Sequence, residues 1–158
     1  MKKIRAVALC LIRRGDELLL ERTEDERTGV TFYRPIGGTV EVGETSKEAV
    51  AREVREELGA AISEPRLLFV IENLFEYEGE LGHEVDFLYE AELLDSRLYE
   101  REEVEGMEGD APYQAVWTPL DWFRDRPKDA KLVPDGLLYL LLEQKSGRES
   151  VVRHIRTR

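Results

Sequence analysis

The chain has 158 residues, is 42% hydrophobic and 36% charged, and carries a net charge of −11. That length suits one soluble globular domain with a real core, spanning residues 1–158, and the acidic balance argues against a nucleic-acid groove and for a metal wherever a polyanion is bound. The single Cys10 offers no internal disulfide, reads as a small buried residue, and suits a reducing cytoplasm.

In chain order, Met1 to Ile12 begins with Lys2, Lys3 and Arg5 before an apolar run, as a signal peptide does. The run is short, Arg13 and Arg14 follow it, and no small-residue cleavage site closes it, so the pattern predicts a first buried strand. Arg14, Gly15 and Asp16 make a turn into a second strand, Glu17 to Arg22, which opens the chain as a hairpin. No stretch reaches transmembrane length, so no membrane partner is expected. Thr23 to Gly29 is a polar loop, and Val30 to Ile36 is a strand leading to Gly37 and Gly38, read as a glycine-rich turn.

The stretch Gly38 to Ala60 carries the chemistry. Thr45 and Glu48 have capping-box spacing, and Gly59 can take the left-handed conformation that stops a helix, so a helix is expected from Thr45 to Gly59. Val50, Val54 and Leu58 make its apolar stripe, while Glu53, Glu56 and Glu57 cluster on an adjoining flank expected to be exposed. Two carboxylates about 4 Å apart repel by roughly 4 kcal/mol at an effective dielectric of about 20, so a cation is expected among them. With no His or Cys nearby, an all-oxygen set favours Mg²⁺ or Mn²⁺. Arg52 can pair with Glu56 one turn on, and Gly38 leaves its carbonyl free to approach the same ion. A solvated acidic helix is the alternative for these carboxylates taken alone.

Farther on, Leu67 to Tyr77 and Glu84 to Leu94 are β-rich and predict a hairpin around Glu78 to Gly82. Glu100 to Asp110 holds six acids, one Arg and two glycines, and reads as a mobile loop. Tyr113 to Thr118 returns to strand with Trp117 inside. Pro119 to Asp125 is a short helix that sets Trp122 and Phe123 against the core. Pro134 to Lys145 is a longer helix with Pro in its first turn and Gly147 past its end. Its leucines make a face too broad for a surface helix, which packs deeply or meets a second subunit. Val151 to Arg158 is an extra strand or a frayed tail. The element order predicts an α/β chain, a mixed central β-sheet between helices.

The stretch Gly38 to Ala60 resembles the Nudix box, G-x5-E-x7-R-E-U-x-E-E-x-G-U, where U is a bulky aliphatic residue. Gly38, Glu44, Arg52, Glu53, Val54, Glu56, Glu57 and Gly59 match in register, and only Ala60 departs from the pattern, with Ile62 two residues on. The resemblance implies the Nudix-type α/β/α sandwich and a hydrolase that uses water and Mg²⁺ or Mn²⁺ to cleave a diphosphate linkage. Carried over by position, it implies metal binding by Gly38, Glu53, Glu56 and Glu57, with Glu44 in support and Arg52 orienting Glu56. Arg34, on the approach strand, is the candidate for neutralising a substrate phosphate. In several Nudix subfamilies a loop between late strands supplies the general base, which makes Glu103 and Glu105 the candidates here.

The expected substrate is a small-molecule phosphoanhydride, either a nucleoside diphosphate derivative or a nucleoside triphosphate. A Nudix-like module that senses nucleotides without cleaving them is the competing class. Such sensors often lose box carboxylates or carry an appended DNA-binding domain, whereas every box carboxylate is present here. Isoprenoid isomerase chemistry on the same fold would want a Cys in the pocket, and Cys10 in the first strand is poorly placed for it. A homodimer is expected from the leucine-rich last helix and from how often Nudix enzymes pair.

Overall fold

The structure, a computed structural model, describes residues 2–125, 128–145 and 153–154. The apolar first run forms β1 (Ile4–Leu11), whose residues from Val7 onward are buried on both sides. β1 pairs antiparallel with β4 (Val30–Thr39) and parallel with β6 (Glu80–Glu90). It is the seam between two half-sheets. On one side β6 pairs with β5 (Arg66–Tyr77), and β5 pairs in parallel with β10 (Arg153–His154). On the other side β4 pairs with β3 (Glu17–Asp25), which pairs with β8 (Ala111–Pro119), which pairs with β7 (Glu103–Glu108). Short β2 (Arg13–Arg14) and β9 (Ala130–Leu132) add to β3 and β4.

The sheet has a core on each face. Ala8, Cys10, Leu19 and Ile36 pack under α1 (Ser46–Leu58) with its Ala49, Val50 and Val54. Val7, Leu9, Leu18 and Leu20 pack under α2 (Leu120–Arg124) and α3 (Leu137–Lys145). Period-two alternation sends neighbouring residues of β1 and β3 to opposite cores, giving the expected α/β/α arrangement around a mixed sheet.

Local chemistry set several boundaries differently from the sequence expectation. Gly37 and Gly38 lie within β4 and not in a turn, paired with Leu9 and Ala8. A Cβ at Gly37 would come 2.0 Å from the Ala8 carbonyl oxygen, so close strand approach explains the glycine. The β5–β6 hairpin closes through only Glu78 and Gly79, both with positive φ (52° and 78°), which is the two-residue turn matched to strand twist. The expected mobile loop at Glu100 to Asp110 is mostly strand β7. Its high charge conceals an alternation in which Val104 and Gly106 face inward between exposed acids.

The last helix begins at Leu137, because Gly136 at φ 91° interrupts helical geometry after Pro134. Leu137, Leu140 and Leu141 are buried and Leu138 and Leu142 pack partly against the same core, so the broad leucine face meets the chain's own interior. Trp117 and Phe123 are buried as expected, whereas Trp122 is 38% exposed and edges onto Tyr33. Gly147 lies outside the described residues, as does most of the Val151 to Arg158 tail, of which Arg153–His154 forms strand β10.

Candidate active site

The site begins with the entry into α1. Thr45 accepts from the Glu48 backbone N–H, and the Glu48 carboxylate accepts from the Thr45 N–H, so two of the helix's unpaired donors are satisfied and the first turn is fixed. Gly59 ends the helix at φ 65°, its N–H donating to the Arg55 carbonyl. Between these stops, the helix presents the box residues at fixed angles.

Arg52 organises them. Its guanidinium donates to Glu44 at 2.6 and 3.0 Å, to Glu53 at 3.1 Å, to Glu56 at 3.1 Å and to the Thr39 carbonyl at 3.0 Å. The expected Arg52–Glu56 pair is therefore one arm of a larger clamp. Hydrogen bonds from Arg52 and from the Glu41 backbone hold the Glu44 carboxyl well below the ordinary range, at about 2. Gly38 lies directly against Glu53: a Cβ there would meet the carboxylate at 2.6–2.7 Å, so only glycine lets Glu53 lie over the strand.

Glu56 stays largely exposed, but Glu57 does not occupy the exposed flank expected for it and is 5% exposed. The correction follows from the sheet: β8 and β7 pass beside this end of α1. Tyr113 of β8 donates its hydroxyl to Glu57 Oε1 at 3.0 Å, while Glu57 Oε2 is buried without a partner. Glu21 of β3 and Glu108 of β7 complete the cluster, each offering a carboxylate oxygen within 4.8 Å of the others. Burial above all raises the Glu57 carboxyl to about 8 despite the Tyr113 hydrogen bond, and burial likewise raises Glu21 to about 7 against the pull of Arg34.

Arg34 reaches this cluster from β4. Its Nη2 donates to Glu21 Oε2 at 3.3 Å and to the Gly37 carbonyl at 3.2 Å, and lies 3.9 Å from Glu108. Burial opposes its charge, but the surrounding carboxylates outweigh that and hold its pKa above the usual value. Arg34 also lines a cavity of about 730 Å³ between the half-sheets. It therefore connects the acidic centre to this cavity.

Glu103 and Glu105 are not brought to this centre. Both are exposed on β7, on the opposite face from Val104 and Gly106, whereas Glu108 shares the inward parity. Sequence reasoning named Glu103 and Glu105 in this segment, whereas the residues brought beside Glu57 are Glu108 and Glu21, neither of which it named. The signal for Glu108 was the E-V-E-G-M-E alternation; for Glu21, an acid ending the apolar run of β3.

The residues fit a hard divalent cation. The donors are oxygens only, several carboxylates converge at short range, and Glu57 holds an unpartnered buried oxygen that a cation would satisfy.

Comparisons with known proteins agree with this geometry. The family model described as NUDIX domain matches residues 2–136. An NAD-capped RNA hydrolase NudC of Pseudomonas aeruginosa is 29% identical over 139 residues, 88% of this chain and 44% of that protein. The NudC of Stutzerimonas stutzeri is 47% identical over 60 residues, 38% of this chain and 21% of that protein. The chain thus spans less than half the length of these curated relatives. Among solved structures, a MutT NUDIX hydrolase from Burkholderia pseudomallei is 28% identical, with 90% of this chain and 98% of that one covered at a TM-score of 0.61. A family match over most of the chain, together with the likeness of its fold to a solved NUDIX hydrolase, makes this chain a member of the Nudix hydrolase family.

Proposed function

We propose that the chain is a metal-dependent pyrophosphohydrolase that cleaves a diphosphate linkage in a nucleoside diphosphate derivative or nucleoside triphosphate, acting in the cytoplasm. The observation that carries this is the convergence of Glu57 with Glu21 and Glu108 beside Arg34, which also lines a cavity large enough for the non-phosphate part of such a substrate.

In this reading Gly38, through its carbonyl, and Glu53, Glu56 and Glu57 hold Mg²⁺ or Mn²⁺. Such an ion, when bound, supplies a water of lowered pKa and neutralises phosphate charge. Arg52 is a positioning residue that fixes Glu53 and Glu56 by the clamp described above. Arg34 exchanges a carboxylate partner for a substrate phosphate, which its planar donor fork suits. Glu108 takes the proton-accepting role sought in this segment, ahead of Glu103 and Glu105, because it alone of the three shares the inward face and comes within reach of Glu57.

The test is turnover against nucleoside triphosphates, nucleotide sugars, ADP-ribose and dinucleoside polyphosphates, with Mg²⁺, with Mn²⁺ and with chelator. Hydrolysis in both metals and none in chelator is expected. Substrate binding with no cleavage of any member would instead assign a sensing module.

A further inference from the structure

The cavity holds a polar group that the acidic centre does not use. Asp86 of β6 lines it at 1% exposure, and neither carboxylate oxygen has a hydrogen-bond partner. Its paired residues in the flanking strands, Val7 and Ile71, are apolar and offer no side-chain donor. Glu84, two residues earlier on the same face of β6, is already engaged by Arg5 at 3.1 Å. Aromatic surface comes from Phe32 and from Phe75, whose ring lies against Gly82 so closely that a Cβ there would sit 2.3 Å away. The cavity thus combines aromatic surface for a planar ring with one buried carboxyl group neither of whose oxygens is hydrogen-bonded.

A carboxylate only accepts hydrogen bonds, and its two oxygens match two parallel N–H donors in one plane. Among nucleobases, guanine presents such a pair on its pairing edge, N1–H beside the 2-amino group. Adenine sets one donor beside an acceptor, and hypoxanthine lacks the 2-amino donor. We infer that Asp86 reads a guanine-type base in this cavity, so that the substrate is a guanine nucleotide; this rests on the pyrophosphohydrolase reading above. Burial first, then the neighbouring Glu84 carboxylate, raise the Asp86 carboxyl to about 8, with Arg34 and Arg5 opposing. The ionised, doubly accepting form is therefore best examined at pH 8.5.

The experiment is calorimetric titration of the full chain at pH 8.5 with GMP, IMP and AMP, which share the phosphate and ribose and differ in the base. GMP is expected to bind at least about tenfold more tightly than IMP or AMP, because each of those leaves an oxygen of a buried carboxylate unmatched. Asp86→Asn, nearly isosteric, should bring GMP to within about threefold of IMP, with melting temperature as the check on folding. Three nucleotides binding within threefold of one another, no saturation at millimolar concentration, or an undiminished GMP preference in the variant would each overturn the inference; the first two need no variant. Turnover on guanine- and adenine-linked diphosphates separates the two levels. Cleavage without GMP preference removes the guanine subsite and leaves the hydrolase, while GMP preference without cleavage of any diphosphate does the reverse.

Discussion

The Tyr113 hydroxyl donates to Glu57 Oε1 at 3.0 Å, from a strand that lies outside the box. It is the only hydrogen bond described for that buried carboxylate. Tyr113→Phe should therefore leave Glu57 with no donor at all and slow turnover about tenfold, in line with the roughly 1–3 kcal/mol attached to an unsatisfied buried group. Steady-state kinetics at saturating metal check this; an unchanged kcat would confine Tyr113 to packing.

Glu57→Gln should oppose stability to function. Above pH 8 Glu57 is ionised in a buried space shared with Glu21 and Glu108, so removing its charge relieves repulsion when no cation is present. The variant is expected to melt higher than the parent in chelator, to bind Mn²⁺ more weakly in a spectroscopic titration, and to lose activity. Glu56→Gln, at an exposed position, should lose activity with no gain in melting temperature.

Gly38→Ala should cost more than its size suggests. The added methyl would sit 2.6–2.7 Å from the Glu53 carboxylate, so either Glu53 or β4 must move. Misplacing one proposed ligand by about 1 Å is expected to lower kcat roughly 10²-fold, while far-UV circular dichroism stays native. Turnover within threefold of the parent would show that Glu53 can give way at no cost.

Among the β7 acids, Glu108→Gln should lower kcat about 10²- to 10⁴-fold if it accepts the proton. Glu103→Gln and Glu105→Gln, on the outer face, should each change it less than threefold. The opposite ranking would return the role to the outer pair.

Asp86 gives stability a pH dependence of known sign. Its ordinary carboxyl value is 3.8, and burial first, then Glu84, raise it to about 8 in the folded chain. Between those values the folded state binds the extra proton, so this group makes the protein progressively less stable as pH rises from about 4 to 8. Asp86→Asn should remove that slope, melting above the parent at pH 8 and level with it below pH 4. Equal melting at both ends would show that Asp86 is ionised at no cost.

How far the sequence could be read depended on the range of the interactions. α1 was legible at both ends because the Thr45–Glu48 box and the Gly59 stop act within a few residues. The Arg52–Glu56 pair was legible for the same reason, but Glu44 and the Thr39 carbonyl, which also accept from Arg52, depend on how the preceding loop and strand fold back. Glu21 and Glu108 were not legible as site residues. They meet Glu57 only because β3, β8 and β7 pair in that order, and nothing local in the chain encodes that pairing. The β7 strand itself was hidden by its own charge, since acids at three of its four exposed positions look like a solvated loop when counted without regard to parity.

Cys10 sits one residue from the end of the seam strand with no exposed surface, and burial pushes its thiol up to about 12. It is also the chain's only sulfhydryl. A small thiol reagent can reach it only when α1 lifts from the sheet or β1 parts from its neighbours, so each labelled molecule records one opening of the core beneath α1. Mass spectrometry of the labelled fraction over time therefore turns the chain into its own clock for the opening of that core. Run with and without Mn²⁺, it reports whether filling the acidic centre, to which α1 brings Glu57, slows that opening.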